Sequence, residues 1–237
     1  CGLPDARAVA LRSPFDPANM GLWCARQVST RYKDRADSIA KVSDLLAVMA
    51  AAQPGHYLAF FPSYSYLQQV WENFAARYPE QPTLCQESAM DEGQRTEFLA
   101  QFLARDGKPL LGFAVLGGVF GEGVDLTGES LIGVAVVSPG LPQIGPRQEQ
   151  LRDYFEETRG AGFDYAYRYP GMNKVLQAAG RVIRTPQDRG VVLLIDDRFL
   201  APDTRRLMPP HWEHLRVVDS ADAWKDELAA FWKKHEP

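Results

Sequence analysis

The chain has 237 residues, 46% of them hydrophobic, with a formal net charge of −4 at pH 7. This length and composition allow one large core, which excludes a disordered protein and predicts a single domain over 1–237. The negative charge argues against a globally basic nucleic-acid binder, although local basic patches remain compatible with it.

Apolar runs alternate with amphipathic ones along the whole chain. Strands are predicted at 8–13, 56–61, 109–116, 131–138 and 190–196, with a weaker one at 215–219; helices are predicted at 36–52, 64–78, 91–105, 147–159, 172–184 and 221–234. Continuously apolar strands separated by helices predict an α/β fold, a doubly wound and mostly parallel sheet with helices on both faces. The stretch 139–170, rich in Pro, Gly and Tyr, predicts a loop or helix excursion from that sheet.

No targeting segment or metal site is indicated. Because no apolar run reaches about 18 residues and no signal peptide opens the chain, we expect a cytoplasmic protein without membrane contact. The first residue is Cys1 rather than Met, so we expect an excised piece of a longer protein. No disulfide framework is predicted, because Cys1, Cys24 and Cys85 are widely spaced. No bound metal is predicted either, because His211 and His214 form an H-x-x-H without the glutamate and spacing of a zinc protease helix.

Three distinctive loops follow predicted strands: "FFPSYSYL", "LGGVFGEGVDLTGE" and "SPGLPQIGPR". Ligands of doubly wound sheets bind at the carboxyl ends of the strands, which makes these loops candidates for binding. In the first loop, Ser63, Tyr64 and Ser65 begin a helix, where hydroxyls and free N–H groups can receive a phosphate. Ser63 fits the role of a simple helix N-cap equally well.

A basic segment, "STRYKDR", carries Arg31, Lys33 and Arg35 with Tyr32 interleaved. Basic and aromatic residues in this arrangement line grooves for single-stranded nucleic acid. The alternative is an ordinary solvated face.

The stretch "VLQAAGRVIRT" places polar residues in an apolar run. On the predicted helix, Gln177, Arg181 and Arg184 fall within roughly 60° of one another and form one polar stripe. Because burying two arginines without partners is costly, the stripe requires either internal carboxylates or a ligand.

The sequence lacks the complete nucleotide-binding motifs of other enzyme classes. Gly118 and Gly123 have the spacing of a phosphate loop, but Val124 and Asp125 occupy the positions where that loop requires Lys and Ser or Thr. A dinucleotide-binding motif is also incomplete, because Leu126 occupies the position of its third glycine. A Rossmann-type enzyme of small molecules is therefore disfavoured. Asp196 and Asp197, after the strand "VVLLI", are interpreted as strand-end or turn residues.

Together these motifs resemble those of one family. "QAAGRVIR" (177–184) resembles motif VI, "GEGVDLTG" (121–128) motif V and "FFPSYSYL" (60–67) motif IV of superfamily 2 DNA helicases of the XPD/DinG type. The resemblance covers nearly the whole chain and implies the second RecA-like domain of such a motor. The phosphate loop and the acidic motif of the first domain are missing.

The resemblance implies a role for each motif. Arg181 and Arg184 would face the γ-phosphate of ATP, with Gln177 hydrogen-bonding in the same cleft. Motif V would link the nucleotide to DNA through four residues, Gly121, Glu122, Gly123 and Asp125; the alternative is a glycine-rich turn whose acids cap the next element. Motif IV and the basic segment would contact single-stranded DNA.

The resemblance also implies the partners of the chain. ATP would bind with Mg²⁺, whose main ligands would lie on the missing N-terminal helicase domain of the same protein, and translocation would run 5′ to 3′. The chain alone would be inactive. The alternative is a non-catalytic RecA-like module that binds nucleic acid or a protein partner.

Overall fold

A seven-stranded parallel sheet forms the centre of the molecule, in the strand order β3-β4-β2-β5-β6-β1-β7. The computed structural model describes residues 13–104, 109–118, 120 and 131–235. The strands are β1 Met20–Ala25, β2 His56–Phe61, β3 Thr83–Cys85, β4 Leu110–Val115, β5 Gly133–Val137, β6 Gly190–Ile195 and β7 Arg216–Val218. Every pairing between them is parallel, which confirms the predicted sheet type.

Helices connect the strands and cover both faces of the sheet. They are α1 Arg35–Ala52, α2 Tyr64–Arg77, α3 Glu92–Leu103, α4 Pro146–Arg159, α5 Tyr169–Ala179, the short α6 Pro202–Arg205 and α7 Ala221–Lys234. None of the helices in the described ranges is long and apolar enough to cross a membrane.

Two apolar cores lie on opposite faces of the sheet, because successive side chains of a strand point to opposite sides. Leu58 and Phe60 of β2 belong to the core that includes side chains of α3 and α5. Tyr57 and Phe61 belong to the other core, which includes side chains of α1, α2 and α7. The fold is therefore doubly wound, as predicted.

Two strands were not predicted. β1 contains no β-branched residue, yet all six of its residues are buried between β6 and β7. β3 is only three residues long and half-buried. Of the strand predicted at 8–13, only Ser13 is described, and it lies outside any strand; the rest lies outside the described residues.

The stretch 139–170 forms α4 and then a π-helix, Asp164–Arg168. No residue of α4 is buried. The helix contacts the π-helix, where Phe155 and Tyr165 stack with ring centroids 4.3 Å apart and Gln148 Nε2 donates to the Ala166 carbonyl at 2.6 Å. The π-helix packs on α4 and on α5, which follows it directly in the chain.

Candidate functional site

The loops after β2, β4 and β5 meet in a cleft at the carboxyl edge, which is the edge of the sheet where the parallel strands end. We call it the carboxyl cleft; it has a volume of about 450 Å³ and is lined by Pro62, Ser63, Tyr64, Ser65, Val115, Leu116, Gly140, Leu141, Pro142, Gln143 and Lys174. Described residues from each of the three loops that the sequence singled out therefore lie together. Lys174 of α5 was not predicted and brings a cation to the cleft.

The residues of motif IV form the start of α2 beside this cleft. Ser63 Oγ accepts a hydrogen bond from the Tyr66 N–H at 3.4 Å, so Ser63 is the N-cap of the helix. Ser65 is exposed on the first turn. Hydroxyls, the positive end of a helix and a lysine ammonium together favour an anionic ligand in the cleft.

Gln86, a second unpredicted residue, connects motif IV to the end of β4. It is buried, its Oε1 accepts from the Val115 N–H at 2.8 Å, and its Nε2 donates to the Tyr64 hydroxyl at 3.0 Å. Each polar end of the amide is therefore satisfied. This bridge fixes the Tyr64 side chain relative to the loop that leads into motif V.

The basic segment is anchored to the end of β6. The Thr30 N–H and hydroxyl both donate to Asp196 Oδ2, at 2.9 and 2.5 Å. Arg31 forms an ion pair with Asp197 at 2.6 Å. As interpreted from the sequence, Asp196 and Asp197 follow the strand, and they also hold the loop between β1 and α1.

Asp196 is a buried carboxylate whose charge is balanced within the protein. Its side chain is 0% exposed and pairs with Arg198 Nε at 2.7 Å. Burial would raise the pKa of Asp196, but hydrogen bonds and charge from Arg198 and the Thr30 hydroxyl hold it below its ordinary value. The carboxylate therefore stays ionised and can keep the basic segment in place near neutral pH.

The three cations of the basic segment have different surroundings. Arg31 is ion-paired, Lys33 is exposed, and the Arg35 guanidinium lies over two tyrosine rings, 5.7 Å from the centroid of Tyr32 and 5.1 Å from that of Tyr66. Because Tyr66 belongs to α2, Arg35 links this segment to motif IV. Both predicted nucleic-acid elements therefore lie at the carboxyl edge.

Motif VI does not form the predicted helical stripe. α5 ends at Ala179, and Gly180 caps it, so Arg181 and Arg184 lie on the turns that follow the helix and the prediction of a helix to residue 184 was wrong. Asp188 explains part of the difference because it accepts hydrogen bonds from the N–H groups of Arg184 and Thr185. The burial of Val182 and Ile183 in the core explains the rest.

The motif VI turn lies at the amino edge, where the strands begin. Asn19, just before β1, donates to the Pro186 carbonyl at 3.2 Å, and a Cβ on Gly190, which begins β6, would be only 2.3 Å from Val182 Cγ1. The side chains differ in exposure: Gln177 is exposed, Arg184 is half-buried and Arg181 is 6% exposed. Both arginines are engaged in interactions within the protein.

The motif V residues, Gly121, Glu122, Gly123 and Asp125, lie outside the described residues. Their roles stay predictions. Within the described ranges, no group of three or more His, Cys, Asp or Glu side chains is arranged to hold a metal ion. Burial raises the pKa of the Cys24 and Cys85 thiols to about 12, so neither is a reactive thiolate at neutral pH.

Comparison with known proteins places these features in a family. The helicase C-terminal domain family matches residues 46–215. The chain belongs to this family. The chain is 30% identical over 222 residues to regulator of telomere elongation helicase 1 of Bos taurus, covering 86% of this chain and 18% of that protein. It is 28% identical over 202 residues to the ATP-dependent DNA helicase YoaA of Escherichia coli, covering 84% of this chain and 30% of YoaA.

Solved structures show the same fold. An XPD helicase matches with a TM-score of 0.67 and 18% identity, over 84% of this chain and 35% of that one. Dbp5 of S. cerevisiae, solved with RNA and ADP BeF3, matches with a TM-score of 0.57 and 15% identity, over 98% of this chain and 50% of that one. The RecA-like fold and the resemblance to the XPD/DinG group of superfamily 2 are confirmed. The chain spans less than a third of the length of each of these two curated relatives.

Proposed function

We propose that this chain is the second motor domain of an ATP-dependent DNA helicase that moves 5′ to 3′ on single-stranded DNA. The observation that carries the proposal is the separation of two polar surfaces on one rigid sheet. The motif VI arginines lie at the amino edge, and the carboxyl cleft with the basic segment lies at the opposite edge. A motor needs two such sites that are linked but distinct.

At the amino edge, Arg181 and Arg184 would reach the γ-phosphate of ATP bound mainly by another domain. Arginine suits this task because its planar guanidinium can grip two phosphate oxygens at once. Bound ATP with Mg²⁺ would supply the free energy of phosphoryl transfer to water. Gln177, exposed near the end of α5, would hydrogen-bond in the same interdomain cleft.

At the carboxyl edge, single-stranded DNA would contact Ser63, Tyr64 and Ser65 and the basic segment. Lys174 in the carboxyl cleft adds a phosphate contact that motif matching did not predict. The motif V residues, Gly121, Glu122, Gly123 and Asp125, would connect the two edges, since they lie in sequence between β4 and β5.

The first motor domain would lie elsewhere in the same protein. The lengths of the two relatives support this proposal, because each is more than three times as long as the part that this chain matches. The chain itself contains no phosphate-loop lysine, so the main ligands of ATP and Mg²⁺ are expected on that other domain.

The test compares the isolated chain with the intact protein. We expect the intact protein to release phosphate from ATP when single-stranded DNA is present, and the isolated chain to fold but release none, because it lacks a cradle for the β- and γ-phosphates. The measurement is DNA-stimulated phosphate release at matched molar concentrations, with folding checked by circular dichroism.

Two outcomes contradict the proposal. Turnover by the isolated chain that persists through purification and is lost in Arg181→Lys would show a complete ATP site within it. An intact protein that binds DNA but hydrolyses no ATP would favour the alternative, a non-catalytic RecA-like module.

A further inference from the structure

Tyr32 is an aromatic side chain that the fold presents to solvent. It is 88% exposed, which is more than any other large hydrophobic side chain among the described residues. It forms part of a single 3₁₀ turn, Tyr32–Asp34, just before α1. Such a position contributes nothing to the core, so the aromatic ring calls for another explanation.

The turn that carries Tyr32 is held firmly on both sides. Before it, Thr30 donates twice to the buried Asp196 and Arg31 pairs with Asp197. After it, Arg35 Nε donates to the Thr30 carbonyl at 3.3 Å, and within the turn the Asp34 N–H donates to the Arg31 carbonyl at 2.8 Å. The backbone is therefore fixed while the ring stays exposed, so little ordering is required when a ligand binds.

Arg35 orients the ring. Its guanidinium lies 5.7 Å from the Tyr32 centroid and 5.1 Å from the Tyr66 centroid, which is within the range of cation–π attraction for both. Tyr66 is itself buried and shares a hydrogen bond of 2.6 Å with the Ser38 hydroxyl. Arg35 thus connects an exposed ring to a buried one and brings positive charge beside it.

An exposed ring beside cations fits one ligand chemistry well. Non-specific single-strand sites combine aromatic rings, on which bases stack, with cations that contact the phosphates. Tyr32 is adjacent to Lys33, which is exposed, and lies at the carboxyl edge with motif IV. A second exposed aromatic residue, Tyr154, is set among paired charges, since Arg152 bonds to both Glu149 and Asp153, and does not share this chemistry.

We infer that Tyr32 is the platform on which a base of single-stranded DNA stacks, with Arg35 holding the ring and Lys33 contacting the phosphate backbone. The inference rests on the proposed function and names a contact within it. Tyr32 recognises the flat face of the base, which every base has, so it adds affinity without sequence preference.

The experiment measures binding of a fluorescent oligothymidylate to the intact protein without nucleotide. Tyr32→Ala is expected to weaken binding by about 5- to 100-fold, the effect of losing one stacked base, whereas Tyr32→Phe keeps the ring and stays close to the wild type. The slope of log affinity against log salt stays unchanged in Tyr32→Ala, since no phosphate contact is lost. Lys33→Ala instead reduces that slope by about 0.7.

A strand of the same length without bases separates stacking from a structural effect. Tyr32→Ala should bind this abasic strand as the wild type does, because only the base contact is removed. Tyr154→Ala, the matched control on α4, should leave binding of both strands unchanged.

Each other result overturns the inference. Unchanged affinity of Tyr32→Ala for oligothymidylate, with Lys33→Ala behaving as expected, rejects the stacking role and leaves the proposed function intact. An equal loss on both strands assigns Tyr32 to a structural or interdomain contact. A wild-type protein that binds no single strand rejects the proposed function and this inference together.

Discussion

Asp188 controls the geometry of the motif VI turn through its hydrogen bonds. Its carboxylate accepts from the Arg184 N–H, the Thr185 N–H and the Thr185 hydroxyl, at 2.7, 2.7 and 2.8 Å. Burial would raise the pKa of Asp188, but these hydrogen bonds lower it, and the net result is a pKa below its ordinary value of 3.8. The backbone at Arg184 therefore depends on an ionised carboxylate.

Replacing this carboxylate should cost stability in a pH-dependent way. We expect Asp188→Ala to lower the free energy of unfolding by about 1 to 2 kcal/mol at pH 7, because three donors lose their acceptor. The folded-state pKa is depressed, so this stabilisation is present above pH 3.8 and is lost as the pH falls through the folded value. Urea unfolding of both proteins, at neutral pH and below pH 3.8, measures the difference.

Asp226→Ala, which removes an exposed carboxylate on α7, is the control and should leave stability unchanged at each pH. A difference between Asp188→Ala and wild type that stays constant down to pH 2.5 would mean that the charge of Asp188 is not what the turn requires.

At the level of single residues, sequence motifs identify candidate site residues but do not predict the local geometry around them. The sequence indicates that Arg181 and Arg184 act together, but it suggests a helical stripe where the chain forms turns. The apolar periodicity of a helix does not reveal that Asp188, three and four residues further along, takes up N–H groups that a helix would have used. The role of Gln86 cannot be predicted from the sequence either, because it depends on β4 and α2 lying on either side of this glutamine in the folded protein.

Elements were predictable where their pattern was local. The predicted range of β2 matches the observed strand because the strand is a continuous apolar run. The predicted ranges of α2 and α7 agree with the observed helices to within one residue, because both helices are amphipathic and have a serine N-cap. β1 was missed because its identity as a strand depends on pairing with β6 and β7, far away in sequence. The cleft needed the same long-range information, since Lys174 joins it from α5.

The junction between the end of β6 and the loop after β1 contains two adjacent aspartates in different settings. Asp196 is 0% exposed and pairs with Arg198, whereas the Arg31–Asp197 pair is 38% and 43% exposed. We expect Asp196→Ala to cost about 3 to 5 kcal/mol, since it leaves Arg198 and Thr30 without their partner. Asp197→Ala should cost about 1 kcal/mol or less, because water screens the exposed pair.

Chemical denaturation of the two variants measures this contrast, and each serves as the control for the other. Equal losses of stability, or a larger loss for Asp197→Ala, would contradict the assignment of Asp196 as the residue that anchors the basic segment.

Across the whole molecule, one stiff sheet separates the two candidate sites. Strands β5, β6 and β1 run from the motif VI turn at the amino edge to the carboxyl edge, where Asp196 holds the basic segment. Both faces are packed with buried side chains, so a displacement at one edge would move the other edge as a rigid body. The motor function proposed above requires such a connection between the two edges.

The most direct test of this account measures ATP turnover and single-strand affinity in the same variants of the intact protein. Arg184→Lys should cut turnover at saturating DNA by roughly 10²-fold or more, with melting temperature and affinity little changed. Arg181→Lys should cut turnover to a similar extent and leave affinity little changed. Lys33→Ala should weaken affinity and keep turnover at saturating DNA. The account is contradicted if the arginine variants unfold early yet keep their turnover per folded molecule, since the arginines would then serve stability alone.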